Sequence, residues 1–336
     1  MAAFLITIDT EGDNIWSNPR ETTTDNAKFL PRFQSLCEKY GLKPTYLTNY
    51  EMAMSDAFVE LARDAVRRGA AEVGLHIHAW NSPPIGQEES RPGMPYLVEF
   101  PERVMAEKVA TMTRILEERF ACPMVSHRAG RWAFNETYAR LLIDHGYTVD
   151  CSVTPHVSWE HDKGFADGQG GTDFRRFPSE AYFIDPSAVD RPGRSALLEV
   201  PMTIVPDRSS VGGIARAASD PLPRLVRKAV SSFFPPAHWF RPNGRNLSQM
   251  RKLLKQRRGS DYIEFMLHSS ELMPGGSPAF RTERSIEILY DHVEQLFDEA
   301  RPDYRGATLG EFRAAFQEND AEQGTPASPV GDRRSA

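Results

Sequence analysis

Cysteine is scarce in this chain: there are three, Cys37, Cys122 and Cys151, in 336 residues. An odd number at wide separation excludes a disulfide scaffold or a thiolate zinc site and is expected of reduced thiols in a cytoplasmic protein. Long apolar runs are missing too. No stretch approaches the roughly 20 residues that a membrane-spanning helix needs, and Phe4 to Ile8 is too short for the apolar part of a leader and runs directly into Asp9, Glu11 and Asp13. No internal repeat is visible. Acid is missing locally: residues 221–260 hold ten Lys or Arg and no Asp or Glu, although the whole chain has a formal net charge of −6. An acidic chain with one basic block argues against general nucleic-acid binding, and leaves room for a local anionic substrate or membrane surface.

What is present is ordinary globular composition, 40% hydrophobic and 26% charged, enough for one large α/β domain. Short apolar runs at Phe4 to Ile8, Lys43 to Thr48, Glu72 to Trp80, Pro123 to His127, Tyr147 to Cys151, Leu197 to Pro201 and Tyr262 to Leu267 read as buried strands. Helical spacing falls between them, at Lys28 to Tyr40, Asp56 to Arg68, Pro101 to Phe120, Asn135 to His145, Ser248 to Gln256, Arg281 to Ala300 and Leu309 to Phe316. Repeated βα units predict a parallel sheet or barrel with its active site at the carboxyl ends of the strands. A small hairpin is expected around Phe174 to Ile184, and Asn81 to Tyr96 reads as a binding loop. One domain is expected over 1–316, with a basic insertion at 221–260 and a disordered tail at 317–336.

The polar clusters follow the strands. Strand one delivers Asp9-Thr10-Glu11-Gly12-Asp13, and strand three contains His76 and His78, which alternation places on one face while Val73, Leu75 and Ile77 fill the other. If the units close into a barrel, Asp9, Glu11, His76, His78, Arg128, Asp150 and His268 converge on one rim. Two imidazoles and one carboxylate suit a divalent metal such as zinc and leave a position for water. Of Asp9 and Glu11, one can ligate and the other can act as base. Asp13 is a rival carboxylate ligand, and His268 can protonate a leaving group.

These motifs, in this order, resemble those of the polysaccharide deacetylases of the NodB-homology, carbohydrate esterase 4 class, in particular a WalW-like branch, over Phe4 to Phe316. Thr7-Ile8-Asp9-Thr10-Glu11 resembles the family's T-F-D-D with one residue inserted, which implies Asp9 as base and Glu11 as ligand. In place of His-x-x-x-His the chain has His76, His78 and then Trp80, so His78 is expected as the second nitrogen ligand. Arg128-Ala-Gly-Arg-Trp132 is similar to R-x-P-x-G without its proline, implying that Arg128 orients the base. Asp150 is the counterpart of the Asp that polarises the catalytic histidine, and Phe265-Met-Leu-His268 supplies that histidine as general acid. The resemblance implies a distorted seven-stranded (β/α) barrel and hydrolysis of an N- or O-acyl group on a sugar.

Two rivals stay open: another amide hydrolase on the same barrel, deformylase-like or allantoinase-like, and a non-catalytic glycan-binding protein. Trp80, Trp132 and Trp159 are candidate sugar platforms. A cytoplasmic enzyme of this class meets its sugar before export, so a phosphate- or lipid-linked substrate is expected, with Arg241 or Arg245 at the phosphate and Phe233, Phe234, Trp239 and Phe240 in peripheral contact with a membrane.

Overall fold

Apolar residues switch along the chain between a period of two and a period near 3.6, and the backbone alternates strand and helix accordingly. A computed structural model describes residues 1–13, 15, 22–86, 93–207 and 237–324, with side chains to 318. The strands are β1 (Ala2–Thr10), β2 (Pro44–Thr48), β3 (Glu72–Ile77), β4 (Ser126–Ala129), β5 (Val149–Asp150), β6 (Tyr182–Asp185), β7 (Ala188–Pro192), β8 (Leu198–Glu199), β9 (Ile204–Pro206), β10 (Ala237–Trp239), β11 (Tyr262–His268) and β12 (Tyr304–Ala307). The helices are α1 (Leu30–Lys39), α2 (Tyr50–Ala53), α3 (Asp56–Arg67), α4 (Glu102–Phe120), α5 (Glu136–Asp144), α6 (Leu247–Gln256), α7 (Glu283–Ala300) and α8 (Leu309–Gly324).

Seven strands run parallel in the order β11, β1, β2, β3, β4, β5, β8, the curled sheet expected of the distorted barrel. β2 covers Ile6 to Thr10 on one edge of β1, and β12 covers Ala2 to Leu5. The antiparallel β6 and β7 extend the margin beyond β8. Among the described residues β8 and β11 do not pair. The seam between them is bridged by the Tyr262 hydroxyl donating to the Pro201 carbonyl (2.6 Å), Glu264 N–H to Thr203 Oγ1 (2.9 Å) and Met266 N–H to the Phe240 carbonyl (3.3 Å).

Side-chain alternation sorts the residues. Phe4, Ile6 and Ile8 enter the main apolar core, where Phe4 packs edge-on against Phe240, Phe297 and Tyr304. Leu5 points the other way, into a smaller cluster with Leu47, Val149, Cys151, Leu198, Tyr262 and Phe312 that fills the barrel floor. Burying each large apolar side chain contributes about 1.5–3 kcal/mol. Above that floor the same face carries Thr7 and Asp9, then the site.

Several expectations need correction. The hairpin is not at Phe174 to Ile184 but at β6 and β7, turned by Asp185, whose Oδ1 accepts both the N–H (2.9 Å) and hydroxyl (2.7 Å) of Ser187. The last helix continues past Phe316 to Gly324, where Gln, Glu and Ala favour its propagation; residues 325–336 lie outside the described part. β9, β10 and β12 have no counterpart among the expected strands. Phe240 is buried against Phe4 and Phe265, so it does not rest on a membrane, while Phe233, Phe234, Arg224, Arg227 and Lys228 lie outside the described residues.

Candidate metal centre

The end of β1 is pinned before it reaches the site. Glu11 N–H donates to Ser269 Oγ (3.0 Å), and the Glu11 carbonyl accepts from Asn26 Nδ2 (2.9 Å). Asp13 spends its carboxylate on the following turn, accepting from Thr23 Oγ1 (2.6 Å), the Asp25 N–H (2.8 Å) and the Asn26 N–H (2.9 Å). It is Glu11, not Asp13, that reaches the histidines.

His76 ends β3 on the interior face, and His78 follows just past the strand. Their Nε2 atoms are 3.2 Å apart, with Glu11 Oε1 at 2.9 Å from that of His76 and hydrogen-bonded to that of His78. Ligand atoms around a small divalent ion with ~2.0 Å bonds are separated by roughly 3.3 Å. A purely hydrogen-bonded cluster accounts for these contacts poorly, since two Nε2 atoms share at most one proton and Glu11 Oε2 is buried with no hydrogen bond. His76 Nδ1 lies 2.9 Å from the Arg128 carbonyl, which only accepts, so Nδ1 carries the hydrogen and Nε2 keeps its lone pair for the centre. The residues present therefore fit a divalent ion held by Glu11, His76 and His78, and Asp9, Glu11 and His268 form an overlapping group. Burial raises the Glu11 carboxyl, but His78 and His76 outweigh it and hold the group well below the usual carboxylate range.

Two neighbours set the position of His78. The Trp80 ring lies 4.4 Å from the imidazole, centroid to centroid, so the residue standing where the resemblance places a second histidine packs on the ligand instead. Gly130 approaches from β4: a Cβ there would lie 2.2 Å from the Ile77 carbonyl oxygen and 2.7 Å from His78 Nδ1. Only glycine leaves that space open.

Arg128, on β4 beside His76 in register, is fully buried and every side of its guanidinium is engaged. It donates to Asp9 Oδ1 (2.6 Å), Thr7 Oγ1 (2.8 Å), the Cys151 carbonyl (3.1 Å) and Glu264 Oε1. Burial raises the Asp9 carboxyl, and Arg128 with His76 and His268 brings it below its ordinary value. Burial also lifts Glu264, against Arg128, to about 7. Sequence reasoning missed Glu264, although a charged residue in the run Tyr262 to His268, on the same parity as His268, is the signal that marks it.

His268 ends β11, in register with Asp9, and its Nε2 faces Asp9 Oδ2 (3.7 Å) and Glu11 Oε2 (3.9 Å). The expected pairing of Asp150 with His268 does not form. Val149 on β5 and Cys151 just after it point into the barrel floor, so Asp150 points outward, where it accepts from His127 Nδ1 (2.6 Å), the Ser152 hydroxyl (2.8 Å) and the Ser152 N–H (3.1 Å). The His127 ring continues to the Tyr138 hydroxyl at 2.8 Å. This network ties β4 and β5 to α5 on the far side of the sheet from the site. Asp150→Ala is therefore expected to lower stability in urea unfolding by about 3 kcal/mol, by stranding buried donors, while the metal affinity of the folded protein changes less than about threefold. A hundredfold loss of metal affinity with unchanged stability would place Asp150 at the site after all.

The tryptophans line the site's flank. Trp132 stacks on Arg128 (5.0 Å from Cζ to the ring centroid) and meets Trp239 at 6.0 Å, which in turn meets Trp159 at 6.5 Å. Arg131 and Trp132 both have positive φ, 55° and 65°, a conformation that costs non-glycine residues about 1–2 kcal/mol each. Arg241 is drawn to His268 and Glu271, whereas Arg245 is exposed. No helix among the described residues is long and apolar enough to cross a membrane.

Neither a protein-family model nor a curated protein matches the sequence. Solved structures match the fold. A Mycobacterium smegmatis protein provisionally named a polysaccharide deacetylase superposes with a TM-score of 0.55 at 15% identity, covering 99% of this chain and 95% of that one. An allantoinase matches with 0.50 at 12% identity, over 97% and 91% of the two chains. A 4-α-glucanotransferase from Thermococcus litoralis matches with 0.50 at 10% identity, over 94% of this chain and 38% of that one. Likeness at these identities is one of fold, and three different named activities share it, so activity has to be argued from the site.

Proposed function

We propose that the protein is a zinc-dependent hydrolase that removes an N- or O-acetyl group from a sugar of a cell-surface polysaccharide or its precursor. The observation that carries this reading is the convergence of Glu11, His76 and His78 on one buried point with Asp9 and His268 beside it. A bound zinc ion supplies acidification of water and polarisation of an acyl carbonyl. The protein's own groups do the rest. Arg128 holds Asp9 by Oδ1, leaving Oδ2 turned toward the centre as the acceptor for a proton from the attacking water. His268 meets the substrate from the neighbouring strand, with Nε2 placed to donate a hydrogen to the carbonyl or leaving group. Trp132 and Trp239 offer apolar faces beside Arg128 against which a pyranose ring stacks.

The test is acetate release from N- and O-acetylated amino-sugar oligomers by metal-free protein to which zinc is restored, with allantoin and N-formyl substrates assayed alongside. Acetate release that tracks zinc content supports the deacetylase; turnover of allantoin or formamide alone favours the amide hydrolase on the same barrel. Stoichiometric zinc without any turnover would move the glycan-binding reading ahead.

A further inference from the structure

We propose that Arg241 is a positioning residue that fixes the ring tautomer of His268, so that the segment interrupting the βα rhythm completes the active site. Its catalytic consequence rests on the hydrolase reading above; its structural content does not. Arg241 lies just after β10, with its carbonyl held by Asn246 Nδ2 at 2.8 Å. Its Nη2 lies 2.9 Å from His268 Nδ1 and 3.1 Å from Glu271 Oε1. Glu271 returns its other oxygen to the His268 N–H at 2.9 Å, so the carboxylate grips both the arginine and the backbone that carries the histidine. Glu271 is buried, yet ionised: Arg241 and His268 overcome the cost of burial and bring it to about 2.

Donor and acceptor logic then decides the tautomer. A guanidinium has five N–H groups, no acceptor, and stays charged at any working pH. The 2.9 Å contact is a hydrogen bond only when Nδ1 offers its lone pair. A neutral imidazole has one ring proton, which is thereby placed on Nε2, the nitrogen facing Asp9 and Glu11. The other tautomer would set two N–H groups against each other and turn a lone pair toward two carboxylates. Without Arg241 nothing bars a hydrogen from Nδ1, and Glu271 Oε2 stands at 3.5 Å to accept it. The arginine thus keeps a hydrogen-bond donor pointed into the site, in the place where the aspartate of β5 was expected to act and does not reach.

The experiment is long-range 1H–15N correlation on full-length, metal-free protein labelled with 15N-histidine at neutral pH, the His268 signals being assigned by their loss in His268→Asn. Wild type is expected to show Nδ1 as the unprotonated nitrogen. Arg241→Ala is expected to put a proton on Nδ1, and guanidinium chloride at a non-denaturing concentration to restore the wild-type pattern. Glu271→Gln, which retains the arginine, is expected to keep it. A wild-type pattern in Arg241→Ala, or a reversed one in Glu271→Gln, overturns the inference. In acetate release, Arg241→Ala is expected to lose about 100-fold in kcat with KM within about threefold, and guanidinium to rescue kcat. A tautomer that follows Arg241 in a protein releasing no acetate would uphold the positioning role and sink the deacetylase reading.

Discussion

Zinc is expected to be lost from both His76→Ala and His78→Ala, with affinity falling by more than the roughly 10- to 100-fold that follows when a group merely orienting a ligand is removed. The expectation rests on the way the two nitrogens and Glu11 Oε1 close on one another, with little room for any of them to be a bystander. The two variants are expected to differ in stability. His76 Nδ1 also serves the Arg128 carbonyl inside the sheet, so its removal strands a buried acceptor and costs about 1–3 kcal/mol. His78 lies past the end of β3, and its Nδ1 makes no hydrogen bond, so His78→Ala strands no backbone group and is expected to be the less destabilising of the two. Metal analysis by plasma mass spectrometry and urea melts on the metal-free proteins check both parts. If zinc stays stoichiometric in His78→Ala, the second nitrogen ligand is not this residue, and the short His-x-His spacing is a packing feature built around Trp80.

Much of this site was legible because it rests on alternation. Asp9 and Glu11 follow one strand, His76 and His78 another, and a period of two puts each pair on one face whatever the rest of the chain does. The same rule explains the error at Asp150. β5 pairs over only two residues, Val149 and Asp150, and is apolar on either side, so the sequence contains no polar face from which to read which way the carboxylate points. Its true partner, His127, stands directly opposite in register and outside the barrel. Glu264 was readable in principle, as the one charge in a buried strand. Arg241 was not: its contacts with His268 and Glu271 cross a loop whose path no local pattern determines, and a basic block reads equally well as a solvated surface. The seam between β8 and β11 was illegible for a related reason, since it is closed by side chains and single carbonyls where a strand with a period would have shown itself.

Arg128→Met is expected to be the most damaging single change. Its guanidinium stands between two buried carboxylates, and removing one partner of a buried ion pair costs about 3–5 kcal/mol because the charge left behind has no solvent. The loss is expected to depend on pH, with the sign set by the two carboxyls together. Asp9 titrates below its ordinary value in the folded protein, so it contributes stability that is present above the unfolded value and lost as pH falls through the folded one. Without Arg128 that contribution disappears. Burial pushes Glu264 up to about 7 from an ordinary 4.5, so the folded state holds this proton more tightly, and its contribution declines as pH rises through that interval. Deleting the cation raises Glu264 further and extends the decline to higher pH. The deficit of Arg128→Met relative to wild type is therefore expected to be larger at pH 8, where both carboxyls seek to ionise unpaired, than at pH 5, where Glu264 is protonated. Adding Glu264→Gln to Arg128→Met is expected to recover part of the loss at pH 8 and little at pH 5, while Glu264→Gln alone is destabilising or neutral. The four proteins form a double-mutant cycle measurable by urea unfolding at the two pH values. A pH-independent deficit, or no recovery in the double variant at pH 8, would mean that Arg128 supports the barrel by packing against Trp132 and Met202 rather than by neutralising the buried acids Asp9 and Glu264.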